Sequence, residues 1–249
     1  MTNFQYAVIV PAWNEAEFIE SCIASINTAM SQVPYSGQLI VVDNNSTDDT
    51  ARFAQAAGAQ VVFEPINQIS RARNAGAYAA NASIYVFVDA DSHIDAPLLH
   101  AAINAIELNN KVGGGAYIRG DRNVGLLGWL GINGWNWVSS TFKLAAGCFV
   151  FVRADAFGEL GGFTLKRYAG EELTLSRSMR RWGKKHAMGF HIITEHTIET
   201  SLRKMDWYSS TQLFRQLIVA LLPGTMSSRK HMHTWYDDST KRTRNDKES

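Results

Sequence analysis

One stretch decides the fold, and it reads Ile84-Tyr85-Val86-Phe87-Val88-Asp89-Ala90-Asp91. Its first five residues are apolar or aromatic, which is typical of a strand buried on both faces of a sheet. Two carboxylates, Asp89 and Asp91, follow directly, and they repel each other unless a positive charge lies between them. A divalent cation that also binds a diphosphate supplies such a charge. The stretch therefore indicates a buried strand with a metal site at its end, the alternative being an ordinary acidic turn.

The residues before this strand alternate between short apolar runs and segments of helical period. This alternation predicts an α/β fold with a mostly parallel central sheet flanked by helices. Ser70 is expected to cap the third helix. The predicted strands are Tyr6–Val10, Leu39–Val42 and Gln60–Phe63, and the predicted helices are Glu15–Met30, Thr50–Ala57 and Arg71–Ala80.

The second half of the chain is less regular. It contains predicted strands at Val112–Ile118 and Cys148–Val152 and a predicted helix at Glu171–Trp182. The intervening Gly125–Val138 is rich in glycine and tryptophan, and we expect it to be flexible. Residues 206–236 are expected to form an amphipathic appendage, and the charged residues 237–249 a disordered tail.

Composition excludes several classes of protein. The 249 residues carry a formal net charge of +1, so no basic surface argues for nucleic acid. The two cysteines have no metal-ligand or disulfide spacing, which favours a reducing compartment. No signal sequence or membrane-spanning segment is evident, so we expect a cytoplasmic protein, with contact at the inner face of the membrane left open. The Gly-x-Gly-x-x-Gly, Walker A and Gly-x-Ser-x-Gly patterns are missing where such enzymes need them.

Polar residues that directly follow strands are the candidates for a ligand site, because open α/β sheets bind ligands at the carboxyl ends of their strands. After the first strand, Pro11, Trp13, Asn14 and Glu15 offer an aromatic ring and a carboxylate beside a nucleoside. The alternative is a proline that stops a strand before an acidic helix start.

The loop after the second strand holds more polar groups than a capping turn requires. Its Asp43 and Asn44 could form hydrogen bonds with the donor and acceptor groups of a nucleobase. Two cations, Arg71 and Arg73, lie at the start of the next helix, where the helix dipole disfavours positive charge. An anion such as phosphate would offset that cost, surface solvation being the alternative.

These four elements, in this order, resemble the family 2 glycosyltransferases over roughly residues 6 to 205. That family has the nucleotide-diphospho-sugar transferase fold known as GT-A. The sequence departs from the family pattern at two positions: Asn44 replaces an acidic residue, and Glu172 replaces the usual aspartate. The matching motifs are Pro11-Ala12-Trp13-Asn14-Glu15, Asp43-Asn44 with Ser46, Asp48 and Thr50, Ala72-Arg73-Asn74 with Gly76, Asp89-Ala90-Asp91, Gly161-Gly162-Phe163 and Gly170-Glu171-Glu172.

The resemblance implies an inverting transfer of sugar from a nucleotide diphosphate to a hydroxyl of a saccharide or lipid-linked glycan, as in cell-envelope polysaccharide synthesis. The donor would occupy a half at about residues 1–118 and the acceptor a half at about 119–205. Mg²⁺ or Mn²⁺ would be held by Asp91 and Asp89, with Asp89 and Ala90 also near the donor. Glu172 would be the catalytic base, with Glu171 as the alternative. Two alternative functions remain. The protein could be a non-catalytic scaffold that binds nucleotide sugars, or it could be a sugar nucleotidyltransferase.

Three further features are left open. The stretch with Trp129, Trp135 and Trp137 could hold a sugar acceptor or contribute ordinary core residues. Either His191 or His196 could be a third metal ligand or a structural residue. The predicted helix at 207–222 has cations on its flanks, Arg203 among them, which permits docking on anionic lipid, although packing on the domain is the more frequent explanation.

Overall fold

The computed structural model describes residues 4–203, without the side chain of Leu127. These residues form eight strands and seven helices. The strands are β1 (Phe4–Ala12), β2 (Gly37–Asp43), β3 (Gln60–Phe63), β4 (Ala82–Val88), β5 (Ser92–His93), β6 (Lys111–Gly120), β7 (Phe149–Arg153) and β8 (Gly189–Thr200). The helices are α1 (Ile19–Gln32), α2 (Thr50–Ala56), α3 (Ile69–Ala79), α4 (Ala96–Glu107), α5 (Gly125–Phe142), α6 (Ala154–Leu160) and α7 (Glu171–Lys185).

All eight strands join one sheet in the order β3-β2-β1-β4-β7-β6-β8-β5. Neighbouring strands are parallel from β3 through β2 and β1 to β4, and again between β6 and β8. The β7 strand is antiparallel to both of its neighbours, and β5 is antiparallel to β8. The predicted α/β fold with a mostly parallel central sheet is therefore confirmed.

Helices cover both faces of this sheet, which explains the unbroken apolar run in its central strands. Successive side chains of β1 enter opposite cores, because a strand alternates its faces. Val8 and Val10 pack with α1 and α4, whereas Ala7 and Ile9 pack with residues of α3 and α7. Phe87 of β4 lies in the second core and is fully buried.

The glycine run Gly113-Gly114-Gly115 lies inside β6. A Cβ on Gly114 would overlap the carbonyl oxygen of His191 in the neighbouring strand β8. A Cβ on Gly115 would lie 2.7 Å from the Cβ of Ala145. The run therefore allows β6 to approach β8 and the segment before β7 more closely than any other residue type would permit.

Several predicted boundaries were wrong. Helix α3 begins at Ile69 with Gln68 as its N-cap, so Ser70 lies inside the helix. Helix α1 begins four residues later than Glu15, because Asn14 adopts a left-handed backbone (φ 53°) in the preceding loop. Helix α4 was not predicted, although the Asp95 side chain that accepts a hydrogen bond from the Leu98 amide is an ordinary N-cap signal.

The expectation of a flexible Gly125–Val138 was also wrong, because this stretch lies within the 18-residue helix α5. Tertiary contacts order it despite its glycines. The Asn136 side chain bonds both the amide and the carbonyl of Ile118 in β6, at 2.9 and 3.0 Å. The Tyr117 hydroxyl donates to Ser140 at 3.0 Å.

The predicted appendage at 206–236, including its amphipathic helix, and the tail at 237–249 lie outside the described residues. Within residues 4–203, no helix is both long enough and apolar enough to cross a bilayer.

Candidate functional site

The carboxyl ends of β1, β2 and β4 lie along one edge of the sheet, because these strands are parallel and adjacent. Ala12 pairs with Asp43 in the register of β1 and β2, so the loops that follow them are neighbours. Asp89 comes directly after the end of β4. The sheet topology therefore brings three of the predicted strand-end loops together.

The loops after β1 and β2 form one hydrogen-bonded unit. Asn14 accepts from the Thr47 amide at 2.8 Å, and its own amide donates to Ser46 Oγ at 3.1 Å. The Glu15 amide donates to Thr50 Oγ1 at 2.8 Å. Much of the polar excess after β2 is therefore used to hold the β1 loop. Asp43 is buried and its Oδ1 accepts from the Ser46 amide at 3.0 Å, whereas Trp13 is partly exposed.

Asn44 supports the loop between β3 and α3. It is buried, and its Nδ2 donates to the carbonyls of Glu64 and Ile66 at 3.1 and 2.7 Å. Its Oδ1 accepts from the Gln68 amide at 2.8 Å. A nucleobase could accordingly contact only the remaining lone pair of the Asn44 Oδ1 atom. Pro11 and Ala90 are buried, and Ala90 packs in the core that contains α1 and α4. Their side chains are apolar and can offer a ligand only apolar contacts.

Arg73 is the most buried charged side chain of this edge, with 1% of it exposed. Its Nη1 donates to Glu171 at 2.6 Å, and its Nη2 donates to Asp89 at 2.9 Å and to the carbonyl of Gly147 at 2.8 Å. Burial alone would lower the pKa of this guanidinium, but the charges of Asp89, Glu171 and Glu172 raise it above its ordinary value.

This bonding gives Arg73 a bridging position between the end of β4 and the start of α7. It joins the residue after β4 to the first residue of α7, across 98 residues of sequence in the case of Glu171. Arg71, two residues earlier, is partly exposed and lies in the first turn of α3. Of the two arginines at this helix start, Arg71 is the one turned toward solvent.

The two candidate bases, Glu171 and Glu172, open α7 after Gly170, whose left-handed φ of 70° turns the chain into the helix. The Glu171 side chain is 4% exposed and is committed to Arg73. Glu172 is partly exposed, and both its Cδ and Arg73 Nη2 would lie 3.6 Å from a Cβ added to Gly147. Adjacent helical residues point about 100° apart, so the structure separates a buried carboxylate that is paired with Arg73 from one that is partly exposed.

The protonation of Glu172 differs from the sequence expectation. Burial and the neighbouring charge of Glu171 raise its pKa to about 8, although Arg73 acts in the opposite direction. The helix start was expected to favour the ionised form. Desolvation and like charge outweigh the helix dipole here, so the pKa of Glu172 lies above the ordinary value of a glutamate.

Arg203 is a residue of this site that sequence reasoning did not assign to it. Its Nη2 lies 2.6 Å from Glu15 Oε1 and 3.1 Å from Asp91 Oδ2. Its guanidinium stands 4.4 Å from the centre of the Phe18 ring. Only 12% of the side chain is exposed, so it is not available as a flanking cation for a lipid surface. Nothing in the local sequence distinguishes it from neighbouring basic residues.

The two carboxylates after β4 are thus each paired with an arginine, Asp89 with Arg73 and Asp91 with Arg203. From the sequence we expected a metal ion to relieve the repulsion between these carboxylates. In the structure the two arginines already relieve it. Among residues 4–203, no group of three or more His, Cys, Asp or Glu side chains is arranged to hold a metal. Neither His191 nor His196 therefore completes such a group within this range.

A divalent cation still fits the site if it arrives with a ligand. The Asp91 side chain is 15% exposed and contributes two oxygens at the edge of the sheet. Mg²⁺ sites that process phosphates commonly use one or two carboxylates, with the remaining ligands from substrate and water. Asp91 satisfies that requirement, with Asp89 beside it but bound to Arg73.

The tryptophans proposed for an acceptor lie on α5. Trp129 and Trp137 are 58% and 63% exposed, and Trp135 is partly exposed. Two exposed leucines, Leu126 and Leu130, fall on the same face as Trp129 and Trp137 at helical spacing. The helix thus presents an apolar stripe to solvent instead of burying its aromatic residues.

Comparison with known proteins adds independent information. The family model described as "Glycosyl transferase family 2" matches residues 7–160. An uncharacterised glycosyltransferase of Mycobacterium tuberculosis is 43% identical over 96 residues, which cover 39% of this chain and 41% of that protein. Protein RfbJ of Shigella flexneri is 34% identical over 123 residues, covering 49% of this chain and 92% of that protein. The match thus spans about two fifths of the mycobacterial relative.

Solved structures share the fold. Glucosyl-3-phosphoglycerate synthase from Mycobacterium tuberculosis, in complex with Mn²⁺, UDP and glucosyl-3-phosphoglycerate, superposes with a TM-score of 0.63 at 21% identity, covering 88% of this chain and 79% of that one. Mannosyltransferase PcManGT from Pyrobaculum calidifontis, in complex with GDP-Man and Mn²⁺, gives a TM-score of 0.59 at 21% identity, covering 88% and 65%. At this identity, the likeness establishes the architecture alone.

Proposed function

The chain belongs to glycosyl transferase family 2, and on that premise we propose that it transfers a sugar, with inversion, from a nucleotide diphosphate to an acceptor hydroxyl. One observation carries the proposal. Arg73 links Asp89, at the donor edge of the sheet, to Glu171, which immediately precedes the candidate base Glu172. Arg73 therefore holds the residue after β4 close to the residue that precedes the proposed base, and a one-step displacement requires donor and acceptor to be held in such proximity.

The donor would lie over the ends of β1, β2 and β4. Its nucleoside would contact Trp13 and Asp43, and its diphosphate would lie near Asp91 and the solvent-facing Arg71. When bound, Mg²⁺ or Mn²⁺ supplies positive charge that stabilises the departing diphosphate, and Asp91 is the residue that would hold it. Two solved structures that share the fold contain Mn²⁺ together with UDP or GDP-Man, which supports this choice of donor and ion.

Glu172 is the residue we assign as base. The acceptor oxygen forms a bond to the anomeric carbon, the bond from that carbon to the diphosphate oxygen breaks with its electron pair, and the acceptor proton passes to the Glu172 carboxylate. Because the pKa of Glu172 is raised to about 8, the ionised fraction of this base increases with pH across the neutral range. Transfer should therefore accelerate as the pH rises toward 8.

The acceptor is proposed to be a saccharide or lipid-linked glycan at the inner face of the membrane. Helix α5 supports the lipid-linked form, because Leu126, Trp129, Leu130 and Trp137 expose an apolar face and residues 125–142 contain no charged side chain. Tryptophan and leucine on one face of a surface helix are suited to the boundary between lipid headgroups and acyl chains. We propose the cytoplasmic side of the membrane as its location, because a nucleotide-sugar donor is made there.

The test is release of nucleoside diphosphate from UDP-, GDP- and dTDP-sugars, measured with and without Mn²⁺ for the wild type and for Glu172→Gln. We expect metal-dependent release by the wild type and donor binding without transfer by the variant. Donor binding without turnover by the wild type would favour a scaffold, and formation of a nucleotide sugar with release of pyrophosphate would favour a nucleotidyltransferase.

A further inference from the structure

Arg203 lies at the candidate site, but the proposed reaction assigns it no role. Its guanidinium is bound to two carboxylates from different loops, Glu15 after β1 and Asp91 after β4, at 2.6 and 3.1 Å. The backbone of this segment is also attached to the site, since the Ser201 amide donates to the carbonyl of Asp91 at 3.1 Å. The chain after β8 thus brings a positive charge to the donor edge of the sheet.

The two arginines that contact Asp89 and Asp91 differ in burial and in the number and length of their contacts. The Arg73 side chain is 1% exposed and bonds two carboxylates and a carbonyl, so it is part of the interior. The Arg203 side chain is 12% exposed, and its Nη2 lies 3.1 Å from Asp91 and 2.6 Å from Glu15. Arg203 is therefore the more exposed of the two arginines, and its contact with Asp91 is longer than its contact with Glu15.

A metal ion and Arg203 compete for the same carboxylate. Asp91 Oδ2 is the oxygen that meets Arg203, and Asp91 is also the residue assigned to the divalent cation. Two cations close to one carboxylate repel each other, unless an anion lies between them. The diphosphate of a donor is such an anion, and guanidinium groups bind phosphate oxygens through two parallel hydrogen bonds.

We propose that Arg203 is a donor-binding residue, which pairs with Asp91 before the donor binds and shifts to the diphosphate when a divalent cation takes Asp91. The inference rests on the proposed function, because it requires a nucleotide-diphosphate donor. Glu15 then acts as the residue that keeps Arg203 at the site during the exchange. Arg203 also couples metal binding to donor binding. A metal ion alone must displace Arg203 from Asp91 without replacing that contact, whereas a metal ion that binds with a diphosphate gives Arg203 a new anionic partner.

The test is two titrations on the full chain. Mn²⁺ alone is titrated by electron paramagnetic resonance of the free ion, and UDP and GDP are each titrated by calorimetry at saturating Mn²⁺. The proteins are wild type, Arg203→Gln, Arg203→Lys and a control, Arg119→Gln. Arg119 is a matched control because its guanidinium also bonds a carboxylate, that of Glu199 at 2.9 Å, but is 64% exposed.

Arg203→Gln should bind Mn²⁺ alone about tenfold more tightly and the nucleoside diphosphate about tenfold or more weakly, as expected for loss of a hydrogen bond between charged groups. Arg203→Lys should be intermediate in both titrations, and Arg119→Gln should match the wild type. A merely structural role would weaken both ligands together, so opposite directions distinguish the two cases.

Equal nucleotide affinity in wild type and Arg203→Gln would overturn the inference, and so would weaker Mn²⁺ binding by the variant. Absence of any nucleoside diphosphate binding by the wild type would instead overturn the proposed function and the diphosphate role with it. The Mn²⁺ titration would still decide the competition at Asp91. If Arg203→Gln fails to fold by circular dichroism, Arg203→Lys decides the outcome by the same two directions.

Discussion

Replacing Glu172 with glutamine should change how the stability of the protein depends on pH. Burial and the charge of Glu171 raise the Glu172 pKa from 4.5 to about 8 in the folded state. Between these two values the unfolded chain has released this proton while the folded protein retains it. Raising the pH therefore favours unfolding across that window, and the free energy of unfolding falls. Glutamine keeps the shape of the neutral side chain but has no proton to lose.

The magnitude follows from the two acid constants. Each tenfold change in such a constant corresponds to about 1.4 kcal/mol, so the full difference would reach about 5 kcal/mol above pH 8 and about 3 kcal/mol at pH 7. Water screens part of this, because Glu172 is partly exposed. We therefore expect Glu172→Gln to be more stable than wild type by about 2 kcal/mol at pH 7, and to equal it below pH 4.5.

Urea unfolding, followed by tryptophan fluorescence at half-unit intervals from pH 4.5 to 8.5, measures this difference directly. Glu20→Gln serves as the control, because Glu20 is an exposed carboxylate on α1. The control should retain the pH slope of the wild type. Parallel slopes for the wild type and Glu172→Gln would refute the reasoning, because they would mean that Glu172 titrates normally in the folded protein.

Other perturbations test the remaining parts of the site. Arg73→Met should lower the free energy of unfolding by about 3–5 kcal/mol in urea melts, since Glu171 and Asp89 lose their cation; a change below 1 kcal/mol would contradict this. Gly114→Ala should cost about 3 kcal/mol or more by the same assay, because the added Cβ overlaps the His191 carbonyl, and wild-type stability would disprove the close approach. Asp91→Ala should abolish Mn²⁺-dependent nucleotide binding in calorimetry, and unchanged affinity would remove Asp91 from the metal site.

The sequence by itself determined the architecture and the edge of the sheet that holds the site. Apolar runs such as Ile84–Val88 and the helical periods between them are local signals, read within a few residues. They were enough to predict the parallel half of the sheet and the loops at its carboxyl ends. The motifs at these strand ends also carried the resemblance to glycosyl transferase family 2, which the comparison over residues 7–160 confirmed.

Only the tertiary structure decided how the charged residues of that edge are partnered. Arg73 meets Glu171 across 98 residues, and Arg203 meets Glu15 across 188, so no local pattern could have paired them. The structure also distinguishes the buried Glu171 from the partly exposed Glu172, and it pairs Asp91 with Arg203 where the sequence alone suggested a metal. The physical reason is that a pKa, an ion pair and burial depend on what the fold brings near a side chain, whereas a strand or helix depends mainly on its own sequence.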